Sequence, residues 1–489
     1  MTEPSSDARA GRLAKLERIN ATGGLPYRFE RDATTADLHA AYPGLPPGTG
    51  TGRWATVAGR VMLHRRFGKL QFVTLQDGTG RIQLLADRSV LGEEGLEGLS
   101  DLDLGDWAGA TGEVITTRKG ELSIRVEELT MLAKSLRPLP EKWHGLRDRE
   151  LRSRRRYLDL IVNEEARRVA LTRVLVVAEL RSQFQDRGFV EVETPVLQVQ
   201  PGGAMARPFA THHHALDLDM YLRIATELHL KRLVVGGLER VFEVGRIFRN
   251  EGIDATHTPE FTMLEAYQAF ADYRDIMELV EQVIAAVVER VTGGKVVEYQ
   301  GRALDFTPPW PRLPYLQAVN EKLEVEVGFD MPLEELTSMA GRFGVEAEPG
   351  WGPGRIIAEL FERHVEDTLW GPVLVVDHPR EISPLARQHR LDPNLVERFE
   401  PIVAGAELGN AFSELNDPIE QRRRFEEQAR ARAAGDEEAH PIDSDYLLAL
   451  EYGLPPTGGL GIGVDRLVML LTDQTHIREV ILFPHLRPE

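Results

Sequence analysis

The chain of 489 residues contains no cysteine. Disulfides, thiolate zinc sites and cysteine nucleophiles are thereby excluded. Uninterrupted apolar runs near eighteen residues are missing as well, so no membrane-spanning helix is expected. The first residues carry no apolar segment of the kind that directs secretion, and the expected compartment is the cytoplasm. The Gly-rich phosphate loops of Rossmann and P-loop proteins are absent, as is the G-x-S-x-G elbow of serine hydrolases. Positive charge is in deficit: 58 Lys and Arg stand against 77 Asp and Glu, a formal net charge of −19. As an average this argues against a nucleic-acid partner, but binding needs only a local basic surface. Arg147, Arg149, Arg152, Arg154, Arg155 and Arg156 form one basic stretch, and Arg12, Lys15 and Arg18 another. Each is as readily a solvated face as a binding surface.

The length suits two or three domains. Residues 1–52 read as a short helix, with apolar positions Leu13, Leu16 and Ile19, followed by a Pro/Gly-rich linker from Pro43 to Gly52. Residues 53–135 show short β-runs with turn signals: Val57 to Leu63, Gln71 to Gln76, a turn at Asp77-Gly78, Arg81 to Leu85, and Val114 to Ile124 bent at Lys119-Gly120. Five or so short antiparallel strands in that span suit a small β-barrel of the OB type. Phe72, Thr74 and Gln76 share one strand face, and Arg81, Gln83 and Leu85 one on the next. An aromatic beside polar groups suits stacking on unpaired bases, though a core Phe with solvated neighbours reads the same way. Residues 136–150, around Pro138 to Gly145, form a connector. In 151–489, helices alternate irregularly with strands. Glu165 to Arg187 reads as a helix with Val169, Val174, Val177 and Leu180 on its apolar side, followed by a strand from Phe189 to Thr194. Asp272 caps a second helix carrying Ile276, Leu279, Val280, Val283, Val287 and Val291. The expected fold is α+β and multidomain, an N-terminal OB barrel followed by an antiparallel β-sheet flanked by helices.

Two segments carry the chemistry. Arg249 is followed by Asn250-Glu251, His257 and then Phe261 to Tyr267; Gly459-Leu-Gly-Ile-Gly-Val-Asp-Arg466 comes much later. Together they offer cations for a polyphosphate, an aromatic face for a base, and carboxylates for a cationic amino group. Strand alternation turns Phe261, Met263, Glu265 and Tyr267 to one side. At about 3.3 Å per residue, Phe261 and Glu265 lie roughly 13 Å apart, near the span of an aminoacyl-adenylate from base to long side chain. The same parity groups Asn410, Phe412 and Glu414. Two carboxylates with aromatics would bind an ammonium as a charge-assisted network, although either strand alone also fits an ordinary half-buried strand. Glu400 and Glu407 flank a hairpin-like bend and offer the oxygen ligands Mg²⁺ prefers, but acids so spaced are commonplace. His212-His213-His214 alternate faces and cannot all ligate one ion, which argues against zinc.

These residues carry a resemblance. Gly188 to Pro195, Arg240 to Glu265 and Gly459 to Arg466 (with 459–471 as the whole element) are similar to motifs 1, 2 and 3 of class II aminoacyl-tRNA synthetases. More narrowly, Pro201-Gly-Gly, Leu216 to Leu228, Gly409 to Asn416 and Val480 to Pro484 resemble the lysyl-tRNA synthetases, and Phe72 to Asp77 resembles their anticodon-binding barrel. The resemblance implies activation of L-lysine by ATP with Mg²⁺, transfer to tRNA(Lys), and a homodimer with no membrane association. It also implies residue roles. Arg249 would hold the α-phosphate and the lysine carboxylate, and Arg249 with Arg466 would be catalytic. Glu251 and Phe261 would bind adenine, His257 and Arg466 the outer phosphates, and Glu400 and Glu407 the Mg²⁺. Gly203 and Glu227 would take the α-ammonium, Asn410 the carboxylate, and Glu265, Tyr267, Phe412 and Glu414 the side chain. Phe72, Gln83 and Glu121 would read the anticodon. Thr226, Thr258, Ala406 and Ala411 differ from the residues usual in that family.

Overall fold

The computed structural model describes residues 6–140, 146–348, 350–433 and 442–488. The chain forms two compact units, Met1–Arg147 and Asp148–Glu489. The middle of the expected connector, residues 141–145, lies outside the described residues.

In the first unit, helix α1 spans Ser6–Ala21. Its cations are engaged within the unit: Arg12 donates to the carbonyls of Leu104, Ser135 and Arg137, while Lys15 pairs with Asp103 and Arg18 with Asp101. That basic stretch therefore docks the helix. Between α1 and the expected linker lies a further helix, α2 (Thr35–Ala41), whose end is fixed by reciprocal bonds between Thr34 and Asp37. Five strands close the barrel: β1 (Gly50–Phe67), β2 (Leu70–Gln76), β3 (Arg81–Asp87), β4 (Trp107–Thr116) and β5 (Leu122–Ala133), in the order β1-β2-β3-β5-β4. Alternation places Val57, Val61, Val73, Leu75, Ile82, Leu84, Val114, Ile124 and Val126 inside. Asp77 Oδ1 accepts the N–H groups of Thr79 and Gly80 and so builds the expected turn. One expectation fails: β3 and β5 pair in parallel, not antiparallel. Between β3 and β4 runs a helical segment, Arg88–Gly98, bent at Gly92. The longer connection lets the chain return in the same direction.

The second unit is built on a nine-stranded sheet. Its order is Arg312–Pro314, Val373–Pro379, Leu395–Val403, Gly409–Ser413, Thr457–Gly463, Glu260–Ala269, Arg240–Phe248 and Val190–Glu191, with Ala406–Glu407 paired to Leu395–Val403 off this path. Only the outermost pair at each edge is parallel. Helix Tyr273–Thr292, capped by Asp272 through a capping box, buries Ile276, Leu279, Val280, Val283 and Val287 against the sheet. Helix Glu164–Asp186 buries Val169, Val176, Leu180 and Phe184. Val174, expected on that buried side, is 63% exposed. The buried positions recur every seven or four residues, and Val174, five residues after Val169, falls on the opposite flank with exposed Leu171 and Leu175. The strand expected from Phe189 to Thr194 is confined to Val190–Glu191. Much of the second basic stretch is also engaged internally: Arg152 pairs with Asp159 and Glu479, Arg154 with Glu150, and buried Arg156 with Asp159 and the carbonyls of Arg478 and Leu482. Among the described residues no helix is long and apolar enough to cross a membrane.

Candidate active site

Strand Thr457–Gly463 lies between Gly409–Ser413 and Glu260–Ala269. Its alternate residues Leu460 and Ile462 enter the core, so Gly459, Gly461 and Gly463 face the other way. Register then fixes the neighbours: Glu265 and Asn410 both pair with Gly461, and Tyr267 and Phe412 both pair with Gly459. The two strands read by parity are thus laid side by side across a floor without side chains. A Cβ on Gly459 would lie 2.0 Å from a Glu414 oxygen and 2.5 Å from the Tyr267 ring, so glycine is required there. Over this floor opens a cavity of about 410 Å³. Twelve of the expected residues line it: Gly203, Glu227, Arg249, Glu251, His257, Phe261, Glu265, Tyr267, Glu407, Asn410, Phe412 and Arg466. Glu400 and Glu414 are not among the lining residues, although Glu414 Oε1 lies against Gly459 of the floor.

One end of the cavity is cationic. The guanidinium of Arg249 lies 5.2 Å from the centroid of the Phe261 ring, and its Nε has no hydrogen-bond partner. In the loop between strands Arg240–Phe248 and Glu260–Ala269, Asp254 Oδ1 accepts the N–H groups of Thr256 and His257, while Oδ2 lies 2.8 Å from His257 Nδ1. This holds the imidazole with Nε2 3.5 Å from Arg466 Nη2. Arg466 is held in turn by the Glu407 carbonyl. Its neighbour Asp465 accepts Thr262 N–H at 2.6 Å and the guanidinium of Arg173, tying helix Glu164–Asp186 to strand Glu260–Ala269 and to the segment that carries Arg466.

The other end is acidic. Glu265 accepts the Thr226 N–H at 3.0 Å and the Tyr267 hydroxyl at 3.4 Å. Burial pushes its carboxyl up to about 7, with the Thr226 bond opposing and Glu227 adding to the rise. Gly203 has a φ of +90°, and a Cβ there would press on Ala225 and Glu227, so only glycine lets this loop approach. Asn410 Oδ1 accepts from Arg398 Nε at 2.9 Å, which leaves its NH₂ to donate into the cavity. Ala411 is buried in the core on the opposite face, so its methyl group does not narrow the cavity. Glu414 meets a residue the sequence reading overlooked. Lys231, fully buried, hydrogen-bonds Glu227 at 2.5 Å and pairs with Glu414 Oε2. The second Glu414 oxygen, Oε1, is buried without any partner. Burial raises the Glu414 carboxyl, and the two acids together outweigh burial to keep Lys231 protonated.

Further acids stand near Arg466 and Arg398. Ile402 pairs with Glu407 and Val403 with Ala406 across a turn at Ala404 and Gly405, so the expected hairpin exists. Glu400 is bound by Arg398 and acts electrostatically on Glu407, whose carboxyl is raised by burial and then by Glu400. Glu366, not foreseen, accepts the Glu407 N–H and is pushed up to about 7 by burial and by both other glutamates. Arg398 was missed as well. It joins Asn410, Glu400, the Ile382 carbonyl and Ser383 Oγ, but in sequence it is merely an Arg two residues before a Glu.

On the barrel, Phe72 is half-buried, with the exposed Arg65 guanidinium 5.8 Å from its ring and Phe67 edge-on at 6.0 Å. Gln83 is buried and its amide is engaged at both ends, donating to Ser123 Oγ and accepting from Arg65. Glu121 is exposed in the turn between β4 and β5.

Comparison with known proteins matches residues 148–487 to the family described as tRNA synthetases class II (D, K and N), and residues 55–132 to an OB-fold nucleic acid binding domain. The chain is 52% identical over 489 residues to the lysine–tRNA ligase of Moorella thermoacetica, covering 100% of this chain and 99% of that protein. It is 50% identical to the lysine–tRNA ligase of Syntrophomonas wolfei, covering 99% of this chain and 97% of that protein. The same name and coverage attach to a protein of Thermosynechococcus vestitus at 52% identity.

Proposed function

Because the chain belongs to the class II tRNA synthetases, and within them to the lysine–tRNA ligases, we propose that the cavity is where L-lysine is activated and that the barrel face around Phe72 reads tRNA(Lys). The enzyme joins lysine to tRNA at the expense of ATP. A lysine carboxylate oxygen attacks the α-phosphorus of ATP and pyrophosphate leaves. A hydroxyl of the terminal tRNA ribose then attacks the acyl carbon of the adenylate, and AMP leaves. No protein nucleophile is needed; positioning and cations aimed at the spreading charge do the work. Arg249 bridges the carboxylate and the α-phosphate, Phe261 and Glu251 hold adenine, and His257 and Arg466 hold the outer phosphates. Glu227 and Gly203 receive the α-ammonium, Asn410 the carboxylate, and Glu265, Tyr267, Phe412 and Glu414 the side chain.

The observation that carries the lysine assignment is the charge count at the acidic end. Among the described residues three buried carboxylates, Glu227, Glu265 and Glu414, gather at this end, and Lys231 pairs with two of them, Glu227 and Glu414. Buried charges need partners, and a substrate with two ammonium groups supplies what is missing. Pyrophosphate exchange measured across the twenty amino acids is expected to proceed with lysine and to require it, followed by charging of tRNA(Lys). Exchange driven by another amino acid would overturn the assignment.

The residues also suit Mg²⁺. Glu400 and Glu407 supply hard oxygen donors whose mutual repulsion favours a cation between them. Phosphate oxygens and water would complete the coordination. Bound there, the ion would neutralise charge on the polyphosphate.

The barrel assignment has its own test. Phe72→Ala removes a stacking platform worth about 1–3 kcal/mol, so the KM for tRNA(Lys) is expected to rise roughly tenfold or more while exchange stays intact. Loss of both would show that Phe72 is core.

A second copy of the chain fits the helix Glu164–Asp186, whose exposed Leu171, Val174 and Leu175 lie in the same unit as exposed Val190, Val196, Leu197 and Val199. We assign this face to a homodimer working in the cytoplasm. The double substitution Leu171→Glu and Val174→Glu is expected to move the protein to monomer mass in sedimentation; an unchanged mass would place the interface elsewhere.

A further inference from the structure

Helix Glu227–Val235 carries Glu227 and Lys231 one turn apart, both turned inward beneath the acidic end of the cavity. The Lys231 ammonium bonds one oxygen of Glu227 at 2.5 Å. On its other side it meets Glu414 Oε2, from the segment after strand Gly409–Ser413. Three rings surround it, with centroids of Phe412 at 5.5 Å and of Tyr267 and Tyr446 at 5.9 Å. Lys231 is closed off from the cavity, whereas Glu227 lines it and Glu414 Oε1 lies against Gly459 of its floor. A lysine placed this way does not bind substrate. It ties together two acids that, on the reading above, receive the two different amino groups of the substrate.

We propose that Lys231 is a specificity-determining positioning residue: by bridging Glu227 and Glu414 it fixes the separation between the α-ammonium and side-chain ammonium sites, and so selects a diamino acid of one length. The inference rests on the assignment of Glu227 and Glu414 to those two sites. One oxygen of each acid is committed to Lys231. The other is left to the substrate, and the orphaned Glu414 Oε1 is the acceptor that a side-chain cation of matching reach would satisfy. A buried, hydrogen-bonded ion pair of this kind holds its geometry because breaking it strands a charge away from water. A cation one methylene too short or too long would satisfy only one of the two sites and leave the other acid unpaired.

The test compares L-lysine with ornithine and homolysine, one methylene shorter and one longer, in pyrophosphate exchange by the full-length protein and by Lys231→Met. A methylene of misfit is typically worth about tenfold or more in kcat/KM. The substitution is expected to lower the preference for lysine over both analogues by about tenfold or more and to raise the KM for lysine, with the KM for ATP unchanged within about twofold. A merely structural lysine would alter stability and the rates for all three amino acids together, leaving their ratios as they were. Should Lys231→Met fail to fold, Lys231→Arg, which keeps the buried cation but changes the spacing it imposes on the two acids, replaces it, and the same loss of discrimination is expected. Unchanged ratios in either folded variant overturn the proposal. Absence of lysine-dependent exchange by the unaltered protein would instead sink the lysine reading on which it rests.

Discussion

Replacing Arg249 by alanine is expected to lower lysine-dependent pyrophosphate exchange by about a thousandfold or more while leaving tRNA binding unchanged. The guanidinium sits in the cavity with its Nε unpartnered and the Phe261 ring at 5.2 Å. The Asn410 amide, its oxygen taken by Arg398, presents a donor in the same cavity from strand Gly409–Ser413, across the glycine floor. A group placed between a carboxylate and a phosphorus has one role in the ground state and a larger one as negative charge gathers on the phosphoryl oxygens. The loss should therefore fall mainly on kcat, with a smaller change in the KM for ATP. Binding of tRNA, measured by filter retention, depends on the barrel and should not move. An exchange rate within tenfold of the parent's would remove Arg249 from the reaction.

The second large effect concerns Glu265. With a carboxyl near 7 in the free protein, it is protonated below that pH and charged above it. Lysine keeps both ammonium groups across this range, so it binds the charged form better. The KM for lysine is accordingly expected to fall as pH rises from 6 to 8. Glu265→Gln keeps the Thr226 and Tyr267 hydrogen bonds available but removes the charge. It should raise the KM for lysine by about a hundredfold at pH 8, the cost of losing a charge-assisted bond of roughly 2–3 kcal/mol, and should flatten the pH dependence. An unchanged KM, or one that keeps its slope with pH, would mean that the side-chain ammonium goes elsewhere.

How much of this was legible from residues alone depended on regularity. Phe261, Glu265 and Tyr267 lie on an uninterrupted strand, as do Asn410 and Phe412, and period-2 counting works wherever the backbone is extended. The hairpin between Glu400 and Glu407 could be seen because Gly405 marks its turn. Lys231 could not be seen: a Lys four residues after a Glu on a helix reads as a solvent-facing pair, and only the packing of three rings turns it inward. Arg398 and Glu366 were hidden for a related reason, since their partners come from distant segments. In the barrel, the parallel pairing of β3 and β5 depends on where the chain returns, which alternation does not encode. Helix α2 was passed over because only Thr35 and Leu38 are buried, too few for a stripe. Val174 was misplaced because Val is apolar on either side of a helix; its flank becomes plain only from the positions of Val176 and Phe184. The basic stretches failed as surface markers since several of their arginines turn to nearby carboxylates and carbonyls.

The strand on which both halves of the cavity lean, Thr457–Gly463, is also the last strand of the sheet in chain order. During synthesis the barrel can close early, but Glu265 and Asn410 stand on two open strand edges until residue 463 has emerged from the ribosome. A chain stalled before that point lacks both the glycine floor between Glu265 and Asn410 and Arg466.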